Sequence, residues 1–179
     1  MVTNKVFTYV VLFLQLALLT SCTLLPDELD WAAVDYLITS DFPDVPHLTT
    51  IELAELLSSA PETVVLLDAR EAEEFSVSHL QGAHHVAARK NDAALLAAAA
   101  PDAIVVVYCS VGYRSAALVE QLHTLGQTHA VNLKGSIFRW TSEGRPVYRG
   151  STRVDQVHPY DDTWGVLLPE PFWAFESEP

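Results

Sequence analysis

Continuous apolar runs are the feature that most constrains the fold of this chain. Residues 64–67 and 104–108 contain no charged or amide side chain. A strand with one face in water carries polar residues at alternate positions, whereas a strand covered on both faces shows an unbroken apolar run. Strands of the second kind are typical of parallel sheets with helices packed on both sides. The two runs therefore predict a chain of the α/β class.

Helical patterns alternate with these apolar runs along the chain. Thr49 and Glu52 have the spacing of a capping box and predict a helix that continues to about Ser59. Its apolar positions are Ile51, Leu53, Leu56 and Leu57. Further helices are predicted at 71–75, 91–100, 115–125 and 137–142, and further short strands at 84–86 and 129–133. This alternation predicts a parallel central sheet of about five strands with helices on both faces.

The sequence before residue 22 has the pattern of a targeting segment. Residues 6–19 form an apolar run that is too short to span a bilayer and has the length of a signal-peptide core. The next residues, Leu19-Thr20-Ser21-Cys22, resemble the bacterial lipobox, in which the cysteine thiol is lipidated. The alternative is an ordinary secretory signal followed by a chance cysteine. We expect residues 1–21 to be a lipoprotein signal peptide and Cys22 to carry a membrane anchor in the bacterial cell envelope, outside the cytoplasm.

Two flanking segments surround the predicted α/β domain at residues 46–149. Residues 22–45 are an acidic linker in which apolar side chains at helical spacing predict one short helix: Trp31, Val34, Leu37 and Ile38. Residues 150–179 contain prolines that exclude a long helix or a central strand. This C-terminal strap carries the aromatic residues Trp164, Phe172, Trp173 and Phe175. We expect them to pack onto the domain, with docking to a partner as the alternative.

The charge of the chain argues against nucleic acid as a partner. Lys and Arg number 10 against 23 Asp and Glu, which gives a net charge of −13. Proteins bind phosphate backbones by neutralising them with Lys and Arg, so this balance disfavours such binding. The acidity is concentrated before the domain and in the strap, where it provides either a solvated spacer or simple solubility.

Cys109 is the candidate nucleophile. It directly follows the apolar run at 104–108 and precedes a short loop with Gly112 at its centre and a helix from about Ser115. Parallel sheets bind ligands at the carboxyl ends of their strands. Backbone N–H groups of the loop and the charge of Arg114 favour the thiolate, the reactive form of cysteine. The alternative is a cysteine that is simply buried in the core.

The loop from Cys109 to Ser115 resembles the active loop of rhodanese-type sulfurtransferases, in which Cys-x-x-Gly-x-Arg-Ser follows a buried strand. Three further stretches match family motifs in the same order. They are Leu67-Asp68-Ala69-Arg70 followed by Glu71, Glu74 and Phe75; His79-Leu80-Gln81-Gly82-Ala83; and Gly135-Ser136-Ile137-Phe138-Arg139-Trp140 followed by Gly144, Pro146 and Val147. The resemblance covers about residues 46–149, which is one complete domain.

The resemblance implies a mechanism and a set of site residues. Cys109 would take the outer sulfur of a small anionic donor such as thiosulfate, hold it as a persulfide and pass it to a thiophilic acceptor: cyanide, a thiol or a protein. The substrate-binding loop would comprise Ser110, Val111, Gly112, Tyr113, Arg114 and Ser115. Asp68 and Arg70 are interpreted as structural residues near the site. No cofactor is required.

Two competing interpretations of the site are weaker. Four residues separate Cys109 from Arg114, whereas the related phosphatases have five and a wider loop, so phosphatase or arsenate reductase activity is disfavoured. The histidines, including the adjacent His84 and His85, lack the spacing of metal ligands, so no metal site is predicted.

A binding module remains an alternative function. In that case the same fold carries a persulfide, or nothing, for a partner in the cell envelope. The single loop cation and the acidic surroundings would slow the capture of a dianionic donor.

Overall fold

The computed structural model describes residues 29–98 and 100–176. The predicted signal peptide at 1–21 and the predicted lipidation site Cys22 lie outside the described residues. Within the two described ranges, no helix combines the length and the apolar character needed to cross a membrane.

Five parallel strands form the central sheet. In chain order they are β1 (His47–Leu48), β2 (Val64–Asp68), β3 (His84–His85), β4 (Ile104–Tyr108) and β5 (Ala130–Leu133). Their spatial order is β1-β5-β4-β2-β3, with β4 in the centre. All four pairings are parallel. The predicted α/β class and the parallel sheet of about five strands are confirmed.

Helices connect the strands. They are α1 (Trp31–Asp41), α2 (Thr50–Ser59), α3 (Ala72–Val77), α4 (Lys90–Ala98), α5 (Tyr113–Thr124), α6 (Ser136–Ser142) and α7 (Asp162–Gly165), with 3-10 turns at Pro61–Thr63 and Glu170–Phe172. Helix α5 begins two residues before its predicted start. Gly112 is the N-cap and has a φ of 114°, a conformation that glycine adopts readily, so the helix begins at the next residue, Tyr113.

The predicted capping box begins helix α2. The Thr49 side chain accepts a hydrogen bond from the Glu52 N–H at 3.2 Å, and the Thr49 N–H donates to the Glu52 carboxylate at 2.7 Å. The apolar positions of the helix are only partly confirmed, because Leu53 is fully buried while Ile51 is 58% exposed. Ile51 lies in the first turn, on the side of the helix that faces solvent.

The core is centred on strand β4, as the unbroken apolar run predicted. Val105, Val106 and Val107 have no exposed surface. Burying one such side chain contributes about 1.5–3 kcal/mol relative to leaving it in water. Val34 and Ile38 of helix α1 belong to the same core cluster, so this helix packs against the α/β domain.

The strap folds back over the domain. Strands β6 (Val147–Arg149) and β7 (Thr152–Val154) form an antiparallel hairpin that the sequence did not predict. The strap residues Val157, Leu167 and Leu168 are buried in the core, and the aromatic residues Trp164, Phe172 and Trp173 are partly buried against it. Packing of these aromatic residues is thus confirmed. The prediction was wrong for Phe175, which is 54% exposed.

Candidate active site

Cys109 is fixed at the carboxyl end of the central strand. It follows β4, and its backbone N–H donates a hydrogen bond to Ser136 Oγ at 3.0 Å. Its carbonyl oxygen accepts from the Ile137 N–H at 3.2 Å. Both partners lie at the start of α6, which directly follows the neighbouring strand β5. Two elements therefore set the position of the cysteine backbone.

The loop after Cys109 directs hydrogen-bond donors at its sulfur. The Gly112 N–H donates to Sγ at 3.1 Å, and Ser115 Oγ donates to Sγ at 3.5 Å. Asn132 supports the loop from β5, because its side-chain amide donates to the Gly112 carbonyl at 3.1 Å. Any residue other than glycine would be strained at the φ of Gly112. The loop is therefore built to stabilise negative charge on sulfur.

The surroundings of the Cys109 thiol lower its pKa. Burial raises the pKa, but the charge of Arg114 and the hydrogen bonds from Ser115 and Gly112 together outweigh that effect. Cysteine reacts as the thiolate, so a lowered pKa increases the reactive fraction at neutral pH. Cys109 is 1% exposed and lines the cavity described below.

Arg114 is held by a buried carboxylate that the sequence did not assign to the site. Its Nη1 and Nη2 atoms each donate to Glu74 at 2.7 Å. The Nη2 atom also donates to Ser110 Oγ at 2.9 Å, and that hydroxyl donates to Glu74 at 2.8 Å. The side chain of Glu74 is 3% exposed and that of Arg114 26%. The sequence placed Glu74 only within a matched motif, whereas the structure buries it beside the exposed Glu73 of the same helix.

The ion pair shifts the pKa of both partners. Burial raises the pKa of Glu74, but its hydrogen bonds and attraction to Arg114 produce a net decrease. Burial also opposes the charge on Arg114, yet Glu74 and the Cys109 sulfur raise the Arg114 pKa. Both groups are therefore ionised at neutral pH.

Asp68 and Arg70 form a second ion pair beneath the site. Both side chains are fully buried, and Arg70 Nη2 lies 2.7 Å from the Asp68 carboxylate. The same nitrogen donates to the Ser78 carbonyl at 2.6 Å. The Arg70 guanidinium also lies over the Tyr108 ring, 5.8 Å from its centroid. This geometry links the ends of β2 and β4, and the structural role of the pair stays a prediction.

A cavity of about 150 Å³ opens beside Cys109. Five of its seven lining residues come from the predicted loop: Cys109, Ser110, Val111, Tyr113 and Arg114. The other loop residues, Gly112 and Ser115, contact the sulfur. The strap contributes Tyr160 and Trp164, which the sequence analysis did not place at the site. These residues contact a loop about fifty residues earlier, so no local sequence pattern places them at the site. Only the aromatic content of the strap indicated that it packs onto the domain.

The neighbouring histidines His79, His84 and His85 do not line this cavity. His79 and His85 both contact the Phe75 ring, and His84 is exposed. In the described ranges, no three His, Cys, Asp or Glu residues are placed to share a metal ion.

Known proteins share this fold and parts of this sequence. Residues 49–143 match the family described as "Rhodanese-like domain". A Mycobacterium tuberculosis protein, "Probable adenylyltransferase/sulfurtransferase MoeZ", is 31% identical over 100 residues, which are 55% of this chain and 25% of that protein. The same match is found in a second strain.

Two solved structures resemble the chain. The crystal structure of thiosulfate sulfurtransferase from Pseudomonas aeruginosa has a TM-score of 0.56 and 28% identity, covering 69% of this chain and 23% of that one. A rhodanese-related protein from Thermoplasma volcanium has a TM-score of 0.50 and 27% identity, covering 58% of this chain and 98% of that one.

The matched region is only a part of these relatives, so the activity of the whole relative cannot be assigned to this chain. The chain spans about a quarter of the curated relatives it matches. The match to the family profile nevertheless covers more than half of the 179 residues and includes the loop from Cys109 to Ser115. The chain belongs to the rhodanese-like domain family.

Proposed function

We propose that this protein is a sulfurtransferase in which Cys109 carries a sulfane sulfur as a persulfide. The observation that carries the proposal is the environment of the sulfur. The Gly112 N–H and the Ser115 hydroxyl both donate to Sγ, and the charge of Arg114 helps to lower the thiol pKa. This is what a nucleophilic thiolate beside a small open cavity requires. Relatives named as sulfurtransferases support the same activity.

The first half-reaction loads the cysteine. The Cys109 thiolate attacks the outer sulfur of a donor such as thiosulfate. A bond forms between the two sulfurs while the S–S bond of the donor breaks, and sulfite leaves with the bonding electrons. The negative charge moves to the terminal sulfur of the Cys109 persulfide. Donors of the loop then stabilise this charge, because preorganised N–H groups cost no reorganisation during the reaction.

The second half-reaction returns the thiolate. A thiophilic acceptor, such as cyanide or a thiol, attacks the terminal sulfur of the persulfide. The S–S bond breaks, and Cys109 leaves as the thiolate with the electron pair. With cyanide the product is thiocyanate, and both charge and atoms balance without a redox partner. The groups that act in both steps belong to the loop and to Arg114, which Glu74 and Ser110 position.

A persulfide carrier without rapid turnover is a second candidate function. The observation that favours it is the pairing of Arg114 with Glu74, which leaves the cavity without an unpaired cation for a dianionic donor. Such a protein would load its cysteine but transfer the sulfur to one specific partner. Loading and turnover therefore need to be measured separately.

The intact mass of the purified full-length chain tests the proposal. After incubation with thiosulfate, we expect a gain of one sulfur, about 32 Da, that cyanide removes. The Cys109→Ser variant should show no gain, and the matched Cys22→Ser variant should retain it. A folded protein with a titratable Cys109 that gains no mass from thiosulfate or from an organic thiosulfonate would refute the proposal. Loading without thiocyanate production would favour the carrier.

We further propose that the site faces the outside of the cytoplasm on a lipid anchor at Cys22. The support is the apolar segment at residues 6–19 and the following Leu19-Thr20-Ser21-Cys22. Expression of the full chain in a bacterial host should give a membrane-bound product with a mass that includes the lipid. Cys22→Ser should abolish lipidation. An unmodified Cys22 in the wild-type product would contradict the proposal.

A further inference from the structure

The size of the cavity beside Cys109 sets the first limit on what reacts there. Its volume is about 150 Å³, and apolar protein cavities of this volume accommodate benzene. The cavity therefore has room for an organic group about the size of an aromatic ring.

The lining of the cavity sets the second limit. Val111, Tyr113, Tyr160 and Trp164 present apolar or aromatic surface. Arg114 is the charged residue of the lining, and its guanidinium is already paired with Glu74 and lies under the Tyr160 ring at 4.8 Å. A dianion would gain little from a cation that is neutralised by a neighbouring carboxylate. A ring, in contrast, would exclude water from the apolar and aromatic side chains of the lining.

The two strap aromatics are held in place by the structure around them. Tyr160 has a positive φ of 71°, a strained conformation for a tyrosine, and its N–H donates to His158 Nδ1 at 3.0 Å. Asp161 caps the short helix α7 and accepts from the Trp164 N–H at 2.9 Å. Leu168 then anchors the helix in the core. Backbone strain of this kind persists only where the surroundings impose it.

Resting on the proposed sulfurtransferase activity, we propose that Tyr160 and Trp164 are specificity-determining residues. They make the site selective for sulfane sulfur carried on an apolar, ring-sized organic group with no more than one negative charge. Persulfides and thiosulfonates of aromatic compounds belong to this class. The strap, which lies outside the matched family region of 49–143, would thus adapt a shared loop to one class of donor.

Benzenethiosulfonate is a suitable probe of this class. The Cys109 thiolate attacks its terminal sulfur, the bond between that sulfur and the sulfonyl sulfur breaks, and benzenesulfinate leaves with the electron pair. One negative charge stays on the Cys109 persulfide and one on the sulfinate, so the step balances. Methanethiosulfonate undergoes the same step with the same charge. The pair of donors therefore differs in the organic group that the cavity would bind.

The test compares kcat/KM for the two donors with cyanide as the acceptor, each divided by its uncatalysed rate. We expect the full-length wild type to prefer the benzene compound at least tenfold. Trp164→Ala should reduce this ratio to below threefold, mainly by slowing the reaction of the benzene compound. Trp164→Phe should restore most of the preference because it keeps a ring. Val166→Ala is the matched control, since Val166 lies two residues further on the strap, is 61% exposed and does not line the cavity.

A second variant keeps the test decisive if Trp164→Ala unfolds. Tyr160 is 45% exposed, so Tyr160→Ala removes a cavity wall from the surface of the protein and should also lower the ratio several-fold. Equal wild-type preference for the two donors, or a ratio unchanged in both strap variants, would overturn the inference while leaving the sulfurtransferase activity intact. Failure of both donors to load Cys109 would instead refute the proposed function.

Discussion

Ser115 is expected to control how much of Cys109 is ionised at neutral pH. Its hydroxyl donates to the Cys109 sulfur at 3.5 Å and has no other hydrogen-bond partner among the contacts of the site. Ser115→Ala removes this donor from a fully buried position without adding volume. The thiolate should lose more stabilisation than the thiol, so the pKa of Cys109 should rise.

The size of this rise follows from hydrogen-bond energies. A hydrogen bond to an ionised group contributes about 1.5–3 kcal/mol and one between neutral groups about 0.5–1.5 kcal/mol. The difference between the thiolate and the thiol is therefore about 1–1.5 kcal/mol. Since one pKa unit corresponds to about 1.4 kcal/mol, the pKa of Cys109 should rise by about one unit. The Gly112 N–H and the charge of Arg114 are still present in the variant, and both continue to lower the pKa of Cys109.

Thiolate absorbance near 240 nm measures this pKa directly. The titration curve of Cys109→Ser is subtracted to remove the tyrosine signal. Ser136→Ala is the control, because Ser136 Oγ accepts from the Cys109 backbone N–H and does not contact its sulfur. Ser136→Ala should remove this backbone hydrogen bond without moving the pKa of Cys109 by more than about 0.3 units. If Ser115→Ala leaves the pKa unchanged, or if Ser136→Ala raises it equally, the assignment of Ser115 is wrong.

Three further predictions concern Glu74 and the loop glycine. Glu74→Gln should lower the free energy of unfolding, measured in urea, by about 2–3 kcal/mol, because it leaves the part-buried Arg114 without its ionic partner. The control is Glu73→Gln, on the exposed side of the same helix, which should change the free energy of unfolding by less than about 0.5 kcal/mol. The lowered pKa of Glu74 means that its contribution is complete above the unfolded pKa of about 4.3 and is lost as pH falls through the lower folded value. The difference between wild type and Glu74→Gln should therefore shrink below about pH 4, and a constant difference down to pH 2 would contradict this. Gly112→Ala should abolish persulfide loading of Cys109 in the mass assay. The strained φ and a Cβ placed 3.3 Å from the Ile38 side chain would move the residue 112 N–H away from Sγ. The control is Gly126→Ala, which has a positive φ but open space around its Cβ, and this variant should load Cys109 normally.

Local patterns were sufficient to predict the centre of the fold. Strand β4 has the same bounds as the apolar run at 104–108, and the capping box of α2 has the predicted partners. Both features depend on residues a few positions apart, for which the sequence alone specifies the interaction. The position of Cys109 after β4 followed from the same reasoning, because the end of a buried strand and the start of a helix were both marked.

Two short elements that depend on distant or irregular surroundings were not predicted. Strand β1 has two residues and exists because His47 and Leu48 pair with β5, which begins more than eighty residues later. Two residues are too few to show a period. The β6–β7 hairpin is similarly short, and its proline-rich surroundings indicated an irregular segment. In both cases tertiary pairing, and not local preference, determines the strand.

The pairing of Glu74 with Arg114 changes what Arg114 can do at the site. From the sequence, Arg114 was expected to bind the anionic donor. In the structure, three hydrogen bonds from its terminal nitrogens go to Glu74 and Ser110, although a guanidinium has five donors in total. A donor anion can therefore bind only the two remaining N–H groups of Arg114, unless it displaces the buried Glu74 carboxylate. Such a displacement costs free energy, because it breaks a buried ion pair. The charge of Arg114 still acts on the Cys109 sulfur and lowers its pKa. We expect its larger contribution to be to the ionisation of Cys109 and to the stability of the persulfide, with recognition of the donor left to the aromatic walls of the cavity.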